Sequence, residues 1–202
     1  MITSYSELKT AIPAWFLDRS DLSTYADDFI DLAEALLNAK LRCRQMEATT
    51  SLVPASNVCT LPSDYLEYKR VVELASIRRR LDYITEDAAD GLYPTRASGL
   101  SCHFMIVGSS LTALPLSSNN IELTYYQKVP ALSDSNTSNW LLAAHPTLYL
   151  HTCLLYAAEF VKNDAVLLRE TKWVETYIDT IAALDNRAKF GNAGVTLPGA
   201  VW

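Results

Sequence analysis

The chain has 202 residues, 50% of them hydrophobic and 20% charged, with only 6 glycines. That length suits one domain or a domain with a large insertion, and the composition excludes a disordered chain, a collagen and a linker. With 17 Lys and Arg against 23 Asp and Glu the net charge is −6, which disfavours a free-standing nucleic-acid binder, because neutralised phosphates supply most of the affinity in that class.

The first predicted helix opens on Ser4-x-x-Glu7, a capping-box pattern, and repeats Tyr5, Leu8, Ile12 and Trp15 at helical spacing. Pro13 should kink or split it, and a break follows at Arg19-Ser20-Asp21. The amino terminus, MITSYSELKT, has no basic stretch followed by an apolar run, so no secretory signal is expected. A long amphipathic helix should run from about Ser23 to Glu47, with Tyr25, Phe29, Leu32, Ala33, Leu36 and Leu37 on its apolar face. Asp27, Asp28 and Asp31 crowd its start and Lys40, Arg42 and Arg44 its end, which suits the helix dipole.

From Thr49 to Pro130 the texture changes to short alternating runs between Ser, Thr, Pro and Asn. Strands are predicted at Val58 to Leu61, Leu66 to Leu74, Leu81 to Ile84, Leu100 to Val107, Leu111 to Leu116 and Ile121 to Gln127. In the last, Ile121, Leu123 and Tyr125 should face one way. Residues 100–127 read as two consecutive hairpins, so the sheet should be mainly antiparallel. Thr85 to Tyr93 reads as a short helix capped by Thr85 and ended by Gly91.

Helices return after Pro130. Asn136 to Asn139 offer caps for a short helix starting at Trp140, and Pro146 fits the first position of the next. That helix is apolar on most of its surface, carrying Tyr149, Cys153, Tyr156 and Phe160 on one face. His145, Pro146, His151 and Glu159 interrupt the stretch, which argues for a buried helix pair over a membrane span. Asp164 should cap a final helix with Val166, Trp173, Val174, Tyr177, Ile178, Ile181 and Leu184 inward. The very short turn between the two helices makes them an antiparallel hairpin.

The expected fold class is α+β: a mainly helical bundle of N- and C-terminal helices with an inserted antiparallel β-rich region. The expected division is residues 1–48 and 131–190 for the bundle, 49–130 for the insertion and 191–202 for an extended C-terminal arm. The arm, GNAGVTLPGAVW, has no charged side chain and carries Leu197, Pro198, Val201 and Trp202. It either lies back on its own domain or docks on a partner or a neighbouring subunit.

Motifs for chemistry are missing. There is no G-x-x-x-x-G-K, G-x-G-x-x-G or G-x-S-x-G. Cys43, Cys59, Cys102 and Cys153 are widely spaced, which indicates buried free thiols rather than zinc, redox or disulfide chemistry. His145 and His151 are six apart, not the four of a helical metal pair, and His103 falls in a predicted strand. Asp27, Asp31 and Glu34 share a helical stripe, best read as a solvated face. Arg78, Arg79 and Arg80 form the one basic run, placed in a loop before a strand, where they could touch phosphate or an acidic partner. No catalytic, cofactor or metal residue is assigned, and the chain is not expected to be an enzyme.

Several stretches carry a family resemblance: Leu61-Pro62-Ser63-Asp64-Tyr65-Leu66-Glu67, LTYYQKVPALSD from Leu123 to Asp134, TSNWLL from Thr137 to Leu142, PTLYL from Pro146 to Leu150, LLYAAEF from Leu154 to Phe160, and FIDLAEA from Phe29 to Ala35. In this order, over nearly the whole chain, they resemble the head-to-tail adaptor (connector) proteins of tailed bacteriophages. The resemblance implies a structural virion protein made in the host cytoplasm and placed in the neck. It implies a homo-oligomeric ring, usually of twelve copies, that binds beneath the portal protein. Such a ring extends the channel for passing DNA without sequence recognition, and it docks a tail or nozzle protein. It implies no cofactor and no membrane. Leu197, Pro198, Val201, Trp202, Arg78, Arg79 and Arg80 are the candidate partner-interface residues. The alternatives are another tail-side virion protein or chaperone, or a small enzyme built on the Asp/Glu stripe or a histidine.

Overall fold

The structure, a computed structural model, describes residues 2–16 and 18–190, with Phe190 described by its backbone alone. Leu197, Pro198, Val201 and Trp202 lie outside the described residues. Two compact units divide the chain: a helical one from Met1–Gln45 and Val129–Trp202, and a β one from Met46–Lys128.

In the helical unit, α1 (Tyr5–Trp15) starts where the Ser4 side chain accepts a hydrogen bond from Glu7 N–H. The Glu7 carboxylate turns back to Thr3, accepting from its N–H and its hydroxyl. Pro13 lies inside the helix without splitting it. The chain leaves the helical path at Phe16, and the Pro13 carbonyl accepts from Phe16 and Arg19 N–H. A 3-10 turn over Ser20–Tyr25 then leads into α2 (Ala26–Lys40).

The α2 helix is shorter than the predicted Ser23–Glu47 at both ends. At Leu41 the backbone becomes extended, φ −81° and ψ 136°, so that Leu41 and Cys43 are both buried. Arg42 still serves the helix end, donating to the Asn38 and Leu41 carbonyls. Leu32, predicted inward, is exposed, as are Trp15 and Leu184.

After the β unit the chain returns through α4 (Trp140–Ala144), α5 (Pro146–Phe160) and α6 (Asp164–Phe190). Asn139 caps α4 through Leu142 N–H, and Pro146 opens α5 as expected. The cap of α6 is Asn163, whose Oδ1 accepts from Val166 N–H, rather than Asp164. The α5 and α6 helices pack as a hairpin, and α1 and α2 pack on α5. Leu8, Ile12, Ile30, Leu37, Leu148, Tyr149, Cys153 and Val174 are among the buried residues of this bundle. The N- and C-terminal helices thus pack together, as the α+β expectation requires.

The β unit holds β1 (Glu47–Leu52), β2 (Val58–Thr60), β3 (Tyr65–Leu74), β4 (Arg78–Arg80), β5 (Asp82–Tyr83), the short helix α3 (Glu86–Leu92), β6 (His103–Val107), β7 (Ser110–Leu114) and β8 (Ile121–Gln127). They form two four-stranded sheets, ordered β1-β8-β3-β4 and β2-β7-β6-β5. The named pairs are antiparallel except β5 with β6. The core cluster draws Leu52, Val71, Ile121, Leu123 and Tyr125 from the first sheet and Cys59, Phe104, Leu111 and Ala113 from the second. The two inner faces therefore share one apolar layer.

One of the two expected hairpins forms. The β6 and β7 strands turn at Gly108, whose φ of +58° favours glycine. The β8 strand instead crosses to the other sheet, between β1 and β3. Both edges of β7 are already taken by β2 and β6. The alternation in β8 is as read, with Ile121, Leu123 and Tyr125 buried. The β1 strand, EATTSL, is not among the predicted strands; it starts where the predicted helix ends, at Glu47. It pairs along β8 from Glu47↔Tyr126 to Leu52↔Ile121.

Candidate interaction surfaces

Several buried polar groups of the helical unit are engaged in internal hydrogen bonds. Glu34 sits inside α2's buried face, not on a solvated stripe. Its Oε1 accepts from Leu132 N–H and from the Tyr149 hydroxyl, both at 2.8 Å. Asn139 Nδ2 donates to the Tyr149 oxygen and to the Pro130 carbonyl, at 3.0 and 2.7 Å. One turn after Glu34, Asn38 Oδ1 accepts from Val129 N–H. Two residues of α2 thus hold the backbone of the segment that leads into α4. Burial pushes the Glu34 carboxyl up, while the two donated hydrogen bonds pull it down. Burial and the neighbouring Glu34 charge push the Tyr149 hydroxyl far up.

Asp185 on α6 behaves oppositely. Burial acts to raise it, but bonds from Lys189, Arg44 N–H and the Arg44 side chain outweigh that and hold it below the usual carboxylate range. Glu170, also buried, meets Arg169 Nη2 at 2.6 Å and lies 2.5 Å from His151 Nδ1. A row of rings follows: His151 stacks on Trp173 at 4.0 Å, and Trp173 on Tyr177 at 4.9 Å. His145 meets the edge of Tyr177, and burial lowers its pKa. Helical spacing alone pointed to core positions here and missed the pairing of both histidines with α6. Beside the row runs an open groove of about 350 Å³ lined by Arg169, Lys172, Trp173, Thr176, Tyr177 and Thr180.

In the β unit, Arg78, Arg79 and Arg80 form β4 itself rather than a loop, opposite Leu74, Glu73 and Val72. Arg78 and Arg70 share Glu122, and Lys69 pairs with Glu47. Arg79 Nη1 donates to Cys102 Sγ at 3.4 Å. A groove of about 410 Å³ is lined by Glu47, Thr49, Lys69, Arg70, Arg80 and Thr124. This sheet face carries four cations, Lys69, Arg70, Arg78 and Arg80, against Glu47, Glu67 and Glu122, so it is slightly positive in an acidic chain.

All four cysteines are free, and Cys102 is exposed where a buried thiol was expected. His103 Nδ1 lies 2.7 Å from the Tyr93 hydroxyl. Among the described residues no three His, Cys, Asp or Glu side chains cluster so as to hold a metal ion, and no helix is long and apolar enough to cross a membrane. What the described geometry offers is surface. Its buried carboxylates tie backbone segments together, and its exposed apolar and basic groups stand on both units.

No curated protein matches the sequence. A family model described as SU10 adaptor protein matches residues 3–197, nearly the whole chain. The chain belongs to the SU10 adaptor protein family, and is a phage adaptor protein.

Proposed function

We propose that the protein is a head-to-tail adaptor subunit that assembles as a ring, of about twelve copies, beneath the portal in the virion neck. There it extends the DNA channel and docks a tail or nozzle protein, with no catalytic turnover. The observation that carries this is the family match from residue 3 to residue 197. A helical bundle tied together by buried carboxylates, with a separate β-rich insertion over residues 49–130, suits a structural part. Exposed apolar side chains on both units suit one that meets neighbours. Heterologous contacts between identical copies close into rings when the rotation per step divides a full turn. Residues 191–202 serve as an arm, with Leu197, Pro198, Val201 and Trp202 as its anchors, and Arg78, Arg79 and Arg80 face a partner.

Native mass spectrometry of the protein mixed with purified portal tests this. A defined multimer on the portal is expected. Removing residues 191–202 should leave the thermal midpoint nearly unchanged while weakening that complex. A chain that stays monomeric and does not bind portal contradicts the proposal. A collapsed fold on truncation, or undiminished portal binding, contradicts the arm.

A further inference from the structure

Two exposed patches, one on each unit, complement each other. The first lies on α2 and the end of α5. Tyr25, at the helix start, packs on Phe160 with ring centroids 4.7 Å apart, and Phe29 meets the same ring at 5.7 Å. Tyr25, Phe160 and Leu32 are nonetheless 41%, 51% and 47% exposed. Tyr25, Asp28 and Leu32 fall on one stripe of the helix, with Asp31 beside it and Glu159 next to Phe160. Asp28 and Asp31 pair with no cation among the described residues, whereas Asp27 is held by Lys9 and Tyr5. The patch has an aromatic centre, with Leu32, Asp28 and Asp31 on the same helix and Glu159 next to Phe160 in the chain, all of them exposed.

The second patch is the turn between β3 and β4. Ile77 at its tip is 79% exposed, more than the other large apolar side chains described. Arg78 and Arg80 follow it on the positive sheet face, and Arg80 makes no ion pair among the described residues. An apolar knob flanked by arginines fits an apolar patch rimmed by carboxylates, the arrangement of anchor and rim found in specific interfaces.

We infer that the β3–β4 turn of one copy docks on the Tyr25–Leu32–Phe160 patch of a second copy, with Ile77 as the anchor and Arg78 and Arg80 set against Asp28, Asp31 and Glu159. The occupant is a second copy because one chain carries both halves, with matched chemistry and opposite charge. The contact joins different surfaces of identical copies, so it propagates head to tail. This rests on the ring proposed above and names the surfaces that build it.

Charge reversal tests it. Arg78→Glu with Arg80→Glu, and separately Asp28→Arg with Asp31→Arg, should each weaken self-assembly at least about tenfold by native mass spectrometry at low salt, with portal present. The chain carrying all four changes should regain most of the assembly. Reversals that leave assembly intact, or a four-fold variant that regains none, overturn the contact while the ring itself stands. A wild-type chain that never self-associates overturns both. Where a reversed variant does not fold, a pair of cysteines decides. Leu32→Cys and Ile77→Cys in one chain, with Cys102→Ser, should give a ladder of disulfide-linked multimers on oxidation. An internal disulfide, or none, overturns the contact.

Discussion

The two units close their interiors by different means. The β unit relies on alternation: its cluster is apolar, and Glu73 and Ser101 are its buried polar residues among those described. The helical unit buries Glu34, Asn139, Thr152, Glu170 and Asp185. Glu34 binds a backbone N–H 98 positions away, and Asp185 one 141 positions away. The difference follows from chain topology. Strand pairing sets register residue by residue, and a slip would turn every core side chain outward. Packed helices can slide or rotate with little change in apolar burial. A chain whose ends must meet around an inserted unit therefore gains from carboxylates that accept from one particular N–H.

That contrast predicts a graded set of effects. Phe104→Ala, in the middle of the β cluster, should cost the most, about 3–5 kcal/mol in urea unfolding. A loss below about 1 kcal/mol would mean that the two sheets do not share this core. Glu34→Ala should cost about 2–4 kcal/mol, since it leaves Leu132 N–H and the Tyr149 hydroxyl buried without their acceptor. Glu34→Gln, which keeps an acceptor, should stay within about 1 kcal/mol of the parent. Equal losses for Ala and Gln would show that the charge matters and the acceptor does not.

The two buried carboxylates should also answer to pH with opposite sign. Glu34 is raised by burial, so its contribution is full below the ordinary carboxylate range and is lost as pH rises through its lifted pKa. Asp185 is lowered, so its contribution is present above that range and is lost as pH falls. Against the parent protein, Glu34→Gln should therefore gain thermal stability, and Asp185→Asn should lose it, as pH rises from about 3 to about 8. Parallel slopes would contradict the assignment. The smallest effect belongs to Arg80→Ala, an exposed side chain, which should move stability by no more than about 0.5 kcal/mol. Any larger loss would place Arg80 in the fold rather than on a contact surface.

Much of this was legible in the residues. The Ser4, Thr85 and Asn139 caps, the Pro146 start and the inward set of β8 each rest on a local rule, and each appears in the structure. What was not legible depends on distant partners. Periodicity runs through Leu41 to Met46 as if helical, yet the α-helix stops at Leu41, Leu41 and Cys43 are buried outside it, and Arg44–Met46 form a separate 3-10 turn. The β1 strand is polar on its open face and shows itself only against β8. The β7–β8 connection looks like a hairpin until β2 occupies the edge that β8 would need. Glu34 looks like one of several surface acids, because nothing near it in sequence announces Leu132 or Tyr149. The surface patches are half visible in the sequence: the arginine run stands out by composition, whereas Leu32 falls at a spacing that predicts the inward face.

Electron microscopy of the intact virion neck tests the adaptor account most directly. The account predicts density for this chain in a closed ring directly beneath the portal, around the DNA channel and above the first tail protein. Density for the chain elsewhere in the particle, or a neck in which portal meets tail without it, would contradict the account.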